Sequence, residues 1–286
     1  KDAHLQSASW RNDNVGKIDS YFEDVFFTLK VREFKNYIKK HKIDYVVICS
    51  PNYLHDSHIR FSIKSGANAI CEKPLVLNPW NLDGLVELEK QFGKKVYTIL
   101  QLRLHPAILN LKSKVQNSSN TTKWDIDLSY VTSRGNWYLQ SWKGEEQKSG
   151  GIATNIGIHF FDMLCWVFGP VQEVRLHSMS PIKAAGYLEF ANARVRWFLS
   201  IDRSDLPPAA NNAGKTTFRN VTIDSQDLEF SDGFVDLHTQ SYAHILDGGG
   251  YPVSEARQAI EIVETMRHMD VMTGGSDRHP ILGRTE

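Results

Sequence analysis

The chain has 286 residues, enough for two domains that each bury a core, since domains commonly run to about 100–150 residues. Lysine and arginine number 33 against 33 aspartates and glutamates, a formal net charge of +0. That balance excludes a global field drawing the chain to nucleic acid or an acidic membrane, so any anionic ligand must be met by local charges.

Residues 1–9 read as the tail of a helix running into Leu5-Gln-Ser-Ala-Ser9, and no G-x-G-x-x-G is found. A helix at residues 31–40 feeds the continuous β-branched run Asp44-Tyr-Val-Val-Ile-Cys-Ser50, which reads as a strand buried on both faces, as in a parallel sheet. Residues 55–66 have helical spacing, with Ile59 and Ile63 on one face and Gly66 placed as a C-cap before a short strand, Ala69-Ile-Cys71. A helix over residues 79–92, closed by Gly93, leads to a third strand at residues 95–100. This alternation predicts a doubly wound α/β sheet.

Beyond residue 124 the runs lengthen and alternate apolar with polar, at residues 124–131, 171–177, 193–201 and 219–223. Such strands suit a largely antiparallel open sheet in a second α/β domain, with helices at residues 156–168 and 254–269. The expected division is a dinucleotide-binding domain over residues 1–105 and a substrate-binding and oligomerisation domain over residues 106–286. The three cysteines, Cys49, Cys71 and Cys165, sit in apolar runs without metal-ligand spacing and read as reduced core thiols, so no metal is expected. No apolar run reaches the roughly 18–20 residues of a membrane span and no signal peptide opens the chain, which predicts a soluble, cytoplasmic protein.

The combination of Cys49-Ser-Pro-Asn-Tyr-Leu-His-Asp56 with Glu72-Lys73-Pro74 sixteen residues on, joined by a helix and a strand, resembles the glucose-fructose oxidoreductase/inositol dehydrogenase/MocA family. The resemblance continues through Gln101-Leu-Arg103, Ser133-Arg-Gly-Asn-Trp-Tyr138, Ser141-Trp-Lys-Gly144 and the run from Gly150 to Asp162. Within the family, this set is similar to the bacterial UDP-N-acetylglucosaminuronate (UDP-GlcNAcA) 3-dehydrogenases of surface-polysaccharide synthesis. The resemblance implies a Rossmann-type first domain, NAD as cofactor with NADP the alternative, a UDP-sugar substrate and a homo-oligomer, dimer or tetramer.

A lysine at the C-terminal edge of a parallel sheet sits where open α/β sheets bind their ligands, and an ammonium can hold a substrate oxygen and stabilise a developing alkoxide. Lys73 is so placed, with a solvated surface lysine as the alternative. His159 is the candidate base, because imidazole titrates near neutral pH; a satisfied interior histidine is the alternative. Asn155 lies four residues before it, on the same face of a helix, where many relatives carry Asp; an amide takes no proton and can only orient. By resemblance, Ser50, Asn52, His55 and Glu72 lie beside the cofactor, His55 in a structural role. Gln101, Arg103 and Trp142 are further cofactor candidates, and Arg134, Asn136, Trp137, Tyr138 and Lys143 substrate candidates, each also readable as a fold residue. Arginine suits a carboxylate or diphosphate through its bidentate fork.

The start of the chain departs from this pattern. A glycine-rich turn should hold the pyrophosphate at a helix N-terminus, and its lack implies either that the first roughly 20–25 residues of the natural protein are missing or that dinucleotide binding is lost. The acid that binds the adenosine ribose is replaced at Trp10 within Ser9-Trp10-Arg11-Asn12-Asp13; Arg11 could meet a 2′-phosphate, or Asp13 could substitute. The remaining readings are a dehydrogenase of a free sugar or inositol, and a non-catalytic binding protein on the same fold.

Overall fold

A computed structural model describes residues 30–118, 123–228 and 236–284. The expectations for residues 1–13, including Trp10, Arg11 and Asp13, lie outside the described residues.

The helix Val31–Ile38 leads into β1 (Tyr45–Ile48), which pairs in parallel with β2 (Asn68–Cys71), and β2 with β3 (Val96–Thr98). The crossovers are the helices His55–Lys64 and Pro79–Phe92. Ile59 and Ile63 on the first, and Leu82, Leu85 and Leu88 on the second, are buried, each contributing about 1.5–3 kcal/mol by leaving water. Gly93 ends the second helix in the left-handed region, at φ 61°, which a side chain would disfavour. β1 is largely half-buried, with Ile48 fully buried. Cys71 and Cys165 are buried, and burial raises the pKa of the Cys49 thiol.

The second sheet is larger and mixed. It runs in the order β5-β6-β7-β4-β8-β9, built from β4 (Trp124–Thr132), β5 (Val171–Met179), β6 (Lys183–Phe190), β7 (Ala193–Ser200), β8 (Thr217–Ile223) and β9 (Gln226–Leu228). Every pairing is antiparallel except β4 with β7, where Leu128 faces Trp197. The helix Ile158–Phe168 packs on this sheet, with Phe161 edge-on to Trp197 at 5.1 Å between ring centroids. β6 has no counterpart in the sequence pattern because Ala184-Ala185-Gly186 are poor strand formers. Gly186 is required by both neighbouring strands: a Cβ there would run into the Arg175 carbonyl oxygen on β5 and stand 2.7 Å from the Trp197 ring on β7.

β10 (Tyr251–Pro252) pairs antiparallel with β3, so the chain beyond residue 106 returns a strand to the first sheet. One helical stretch, Glu146–Phe168, is long and apolar enough to cross a membrane, and 78% of that apolar window is buried inside the fold. Its middle is a π-helical turn over Ala153–Gly157.

Arg103, at 3% exposure, ties these parts together. Its Nε and Nη2 donate to Asp162 at 2.9 and 2.6 Å, its Nη1 pairs with Glu255, and its guanidinium lies 4.8 Å from the Tyr251 ring. One side chain therefore holds the turn after β3, the helix Ile158–Phe168 and the segment around β10.

Replacing Arg103 by Leu should cost about 3–5 kcal/mol, because it leaves the buried Asp162 carboxylate unpaired. Gly186→Ala should cost about 1–3 kcal/mol by overpacking against the Arg175 carbonyl and the Trp197 ring. Denaturant unfolding of each variant against the parent measures both.

Candidate active site

Parallel strands end at one edge of a sheet, and here that edge carries Ser50, Asn52, Glu72 and Lys73, with Gln101 in the turn just after β3. His55 fastens two of the strand ends: its Nδ1 is 2.7 Å from the Pro74 carbonyl and its Nε2 2.8 Å from that of Ser50. Burial lowers its pKa, and the two carbonyls and the Glu72 charge offset part of that. Ser50 Oγ is 2.9 Å from Nδ1 of His58. The Lys73–Pro74 peptide is cis.

Asn155 is the hub between the sheets. Its side-chain amide donates to the Tyr138 hydroxyl at 2.7 Å, its side-chain carbonyl accepts from Asn52 at 3.2 Å, and its backbone carbonyl accepts from Lys73 Nζ at 2.8 Å. Asn52 donates also to the Ser149 carbonyl at 2.9 Å. Within the π turn over Ala153–Gly157, the Asn155 side chain is taken up by Asn52 and Tyr138. It therefore orients protein groups.

Lys73 and His159 border one small cavity, together with Thr98, Leu100 and Asp162. Burial pulls the Lys73 pKa down to about 8, with Glu72 opposing and Lys143 and Arg134 adding to the fall. His159 is held well below the usual imidazole range, first by burial and then by the charges of Lys73, Arg219 and His238. Its ring is partly exposed, yet its Nδ1 is buried with no hydrogen-bond partner among the described residues. The pair is thus an ammonium beside a neutral imidazole, a donor and a proton acceptor at one place.

Around them lies a cationic rim. Arg134, Asn136 and Trp137 are exposed, and Lys143 Nζ stands 5.1 Å from the Trp137 ring centroid and 5.6 Å from that of Trp142. Tyr138 is buried and serves Asn155. Arg103 does not join the site: the sequence reading makes it a cofactor contact, but its fork is spent on Asp162 and Glu255 in the interior. Sequence reasoning missed Arg219, whose charge reaches His159, and His238, whose Nε2 lies 2.9 Å from Glu72 Oε1. Neither carries a local motif; a lone cation in a strand or helix is indistinguishable from a solvated one.

The strand-end edge fits a dinucleotide. The side-chain oxygens of Thr98 and Gln101 are buried there without partners among the described residues, as groups awaiting a ligand would be. Ser50, Asn52 and Glu72 stand at the same edge. The turn that would hold the pyrophosphate is not among the described residues.

Residues 16–99 match the NAD-binding Rossmann-fold domain of an oxidoreductase family, and residues 122–209 its C-terminal α/β domain. The chain is similar to the WlbA (WbpB) dehydrogenase from Thermus thermophilus, solved in complex with NAD and α-ketoglutarate: 45% identity, 93% of this chain and 88% of that one covered, TM-score 0.86. A second structure of that enzyme, in complex with NAD and UDP-GlcNAcA, matches at 45% identity over the same shares, with a TM-score of 0.85. Among curated relatives, D-glucoside 3-dehydrogenase of Escherichia coli is 26% identical over 146 residues, 49% of this chain; the match spans 41% of that enzyme's length. On these matches over both of its sheets, the chain belongs to the glucose-fructose oxidoreductase/inositol dehydrogenase/MocA family of oxidoreductases.

Proposed function

We propose that the protein oxidises the C3 hydroxyl of a UDP-linked N-acetylated sugar acid, similar to UDP-GlcNAcA, to a 3-keto sugar, with NAD as acceptor. The observation that carries this reading is the closeness of His159 to Lys73, whose charge reaches the imidazole, with Arg134 and Lys143 also within electrostatic reach of Lys73. The similarity to an enzyme solved with NAD and UDP-GlcNAcA supports it.

Lys73 donates from its ammonium to the C3 oxygen and stabilises the negative charge that develops there. Its other hydrogen bond, to the Asn155 carbonyl, sets the direction of Nζ. His159, kept neutral by its surroundings, takes the hydroxyl proton. NAD, when bound, supplies the acceptor for the hydride from C3. Ser50, Asn52, Glu72 and Gln101 would hold its nicotinamide half, and Trp142 stands near. Arg134 and Lys143 meet the carboxylate or diphosphate, and Asn136 and Trp137 line the same approach. The reading extends to a cytoplasmic homo-oligomer in lipopolysaccharide or related surface-polysaccharide sugar synthesis, where a 3-keto product suits transamination.

Three outcomes test it. The full-length protein should bind UDP in calorimetry and form reduced nicotinamide with UDP-GlcNAcA; absence of both would sink the substrate assignment in favour of a free polyol or a non-catalytic role. Lys73→Met and His159→Asn should each lower kcat by about 10²–10⁴, as loss of a positioned acid or base does. In the pH profile of kcat/KM, the ammonium form of Lys73 is required, so activity should fall as pH rises through about 8. The neutral form of His159 is required and its pKa is depressed, so the acid limb should lie below pH 6.5, the ordinary imidazole value.

A further inference from the structure

The chain of hydrogen bonds from Ser149 through Asn52 and Asn155 to Tyr138 fixes the direction of a proton. A backbone carbonyl only accepts, so the Ser149 carbonyl, 2.9 Å from Asn52 Nδ2, sets which way round the Asn52 amide lies. The same nitrogen must meet an acceptor on Asn155, 3.2 Å away, which makes that atom Oδ1 and turns Nδ2 to the Tyr138 hydroxyl at 2.7 Å. The Tyr138 oxygen therefore accepts. Its own proton points elsewhere, and no group among the described residues takes it. Burial raises the pKa of the phenol, so the proton stays on, and at 2% exposure bulk water does not reach it. A buried donor left without an acceptor marks a place where a partner is expected.

That partner has to be an acceptor, because the hydroxyl already accepts from Asn155, and its surroundings favour an anion. The Tyr138 amide donates to the Gly135 carbonyl at 2.9 Å, closing the turn that begins at Arg134, an exposed cation whose charge reaches both the phenol and Lys73. Lys73 Nζ is held by the backbone carbonyl of Asn155 and the phenol by its side chain, so one residue fixes the ammonium and the unspent proton together. We propose that Tyr138 is a specificity-determining residue: held as an acceptor by Asn155, it turns its proton to the substrate and, with Arg134, reads the carboxylate of the sugar acid. The inference rests on the reading of Lys73 as the group that holds the sugar. A neutral hydroxymethyl in place of the carboxylate is a weaker acceptor for both groups, so the subsite favours the acid over the uncharged sugar.

In the ultraviolet resonance Raman spectrum of the full-length, ligand-free protein, the tyrosine Fermi doublet reports whether a phenol donates or accepts. The difference between the parent and Tyr138→Phe should show an accepting phenol, and Asn155→Asp, whose ionised carboxylate can only accept, should turn it into a donating one. A donating phenol in the parent, or no change in Asn155→Asp, would overturn the orientation. With NAD, the parent should prefer UDP-GlcNAcA to UDP-N-acetylglucosamine, which lacks the carboxylate. Tyr138→Phe should lower kcat/KM for UDP-GlcNAcA by about 10–100-fold, the range of one hydrogen bond to a charged group, and change that for UDP-N-acetylglucosamine little. UDP-glucuronate, which keeps the carboxylate and lacks the acetamide, should lose as UDP-GlcNAcA does. Arg134→Gln, at an exposed position, should narrow the preference too, which keeps the test decisive if Tyr138→Phe does not fold. An equal loss on all three substrates, or none on either acid, would overturn the carboxylate assignment. If the parent oxidises none of the three, the sugar-nucleotide reading fails and the carboxylate assignment with it, while the ligand-free spectrum still decides the direction of the proton.

Discussion

The arrangement of the site depends on one buried ion pair, Arg103 with Asp162. Arg103 comes from the turn after β3, in the sheet whose edge carries Lys73; Asp162 lies one helical turn after His159. Fixing these two groups at 2.6 Å fixes the helix of His159 against the strand ends of the first sheet. The Glu255 contact adds the segment next to β10, so the chain beyond the second sheet closes over the same point. A buried pair of this kind is a weak source of stability but a strong constraint on register, since either partner alone is an uncompensated charge. Asn155 makes the complementary link, joining Asn52, Tyr138 and Lys73 with three separate groups of one residue.

The electrostatics follow from the same closeness. Burial disfavours the ammonium of Lys73 and the imidazolium of His159 alike, and the charge of Lys73 disfavours the imidazolium further. The lysine keeps its proton because Glu72 is its sequence neighbour; the histidine, with no such carboxylate, is left neutral. A free lysine and a free histidine already differ in protonation state between their ordinary pKa values; here that window is moved to lower pH, with its upper end at about 8, and within it a donor and an acceptor can meet one hydroxyl. Arg134, Lys143 and Arg219 add positive potential that an anionic substrate would relieve.

Much of the first sheet was legible in the sequence because its units are short apolar runs punctuated by Gly66 and Gly93, and those signals are local. The Glu72-Lys73-Pro74 turn was legible for the same reason. β6 was not, since it is held as a strand by pairing with β5 and β7 on either side and not by the propensity of its own residues. β10 has two residues and exists only as a partner of β3. The π turn over Ala153–Gly157 was not legible either, because nothing in Ala-Thr-Asn-Ile-Gly marks a widened coil. Arg103 was misplaced because its partners are 59 and 152 residues away, and nothing in Gln101-Leu-Arg103 distinguishes a fork reserved for the interior from one offered to a ligand. His238 was invisible for the same reason: its meaning lies in Glu72.

The account turns on which bond the site breaks. The most direct measurement is single-turnover reaction of the full-length protein with UDP-GlcNAcA carrying deuterium at C3, with NAD added and the reduced cofactor analysed by mass. The deuterium should be recovered on the nicotinamide, with a 3-keto sugar left behind. Unlabelled reduced cofactor, or label recovered only when deuterium is placed at another sugar carbon, would contradict it.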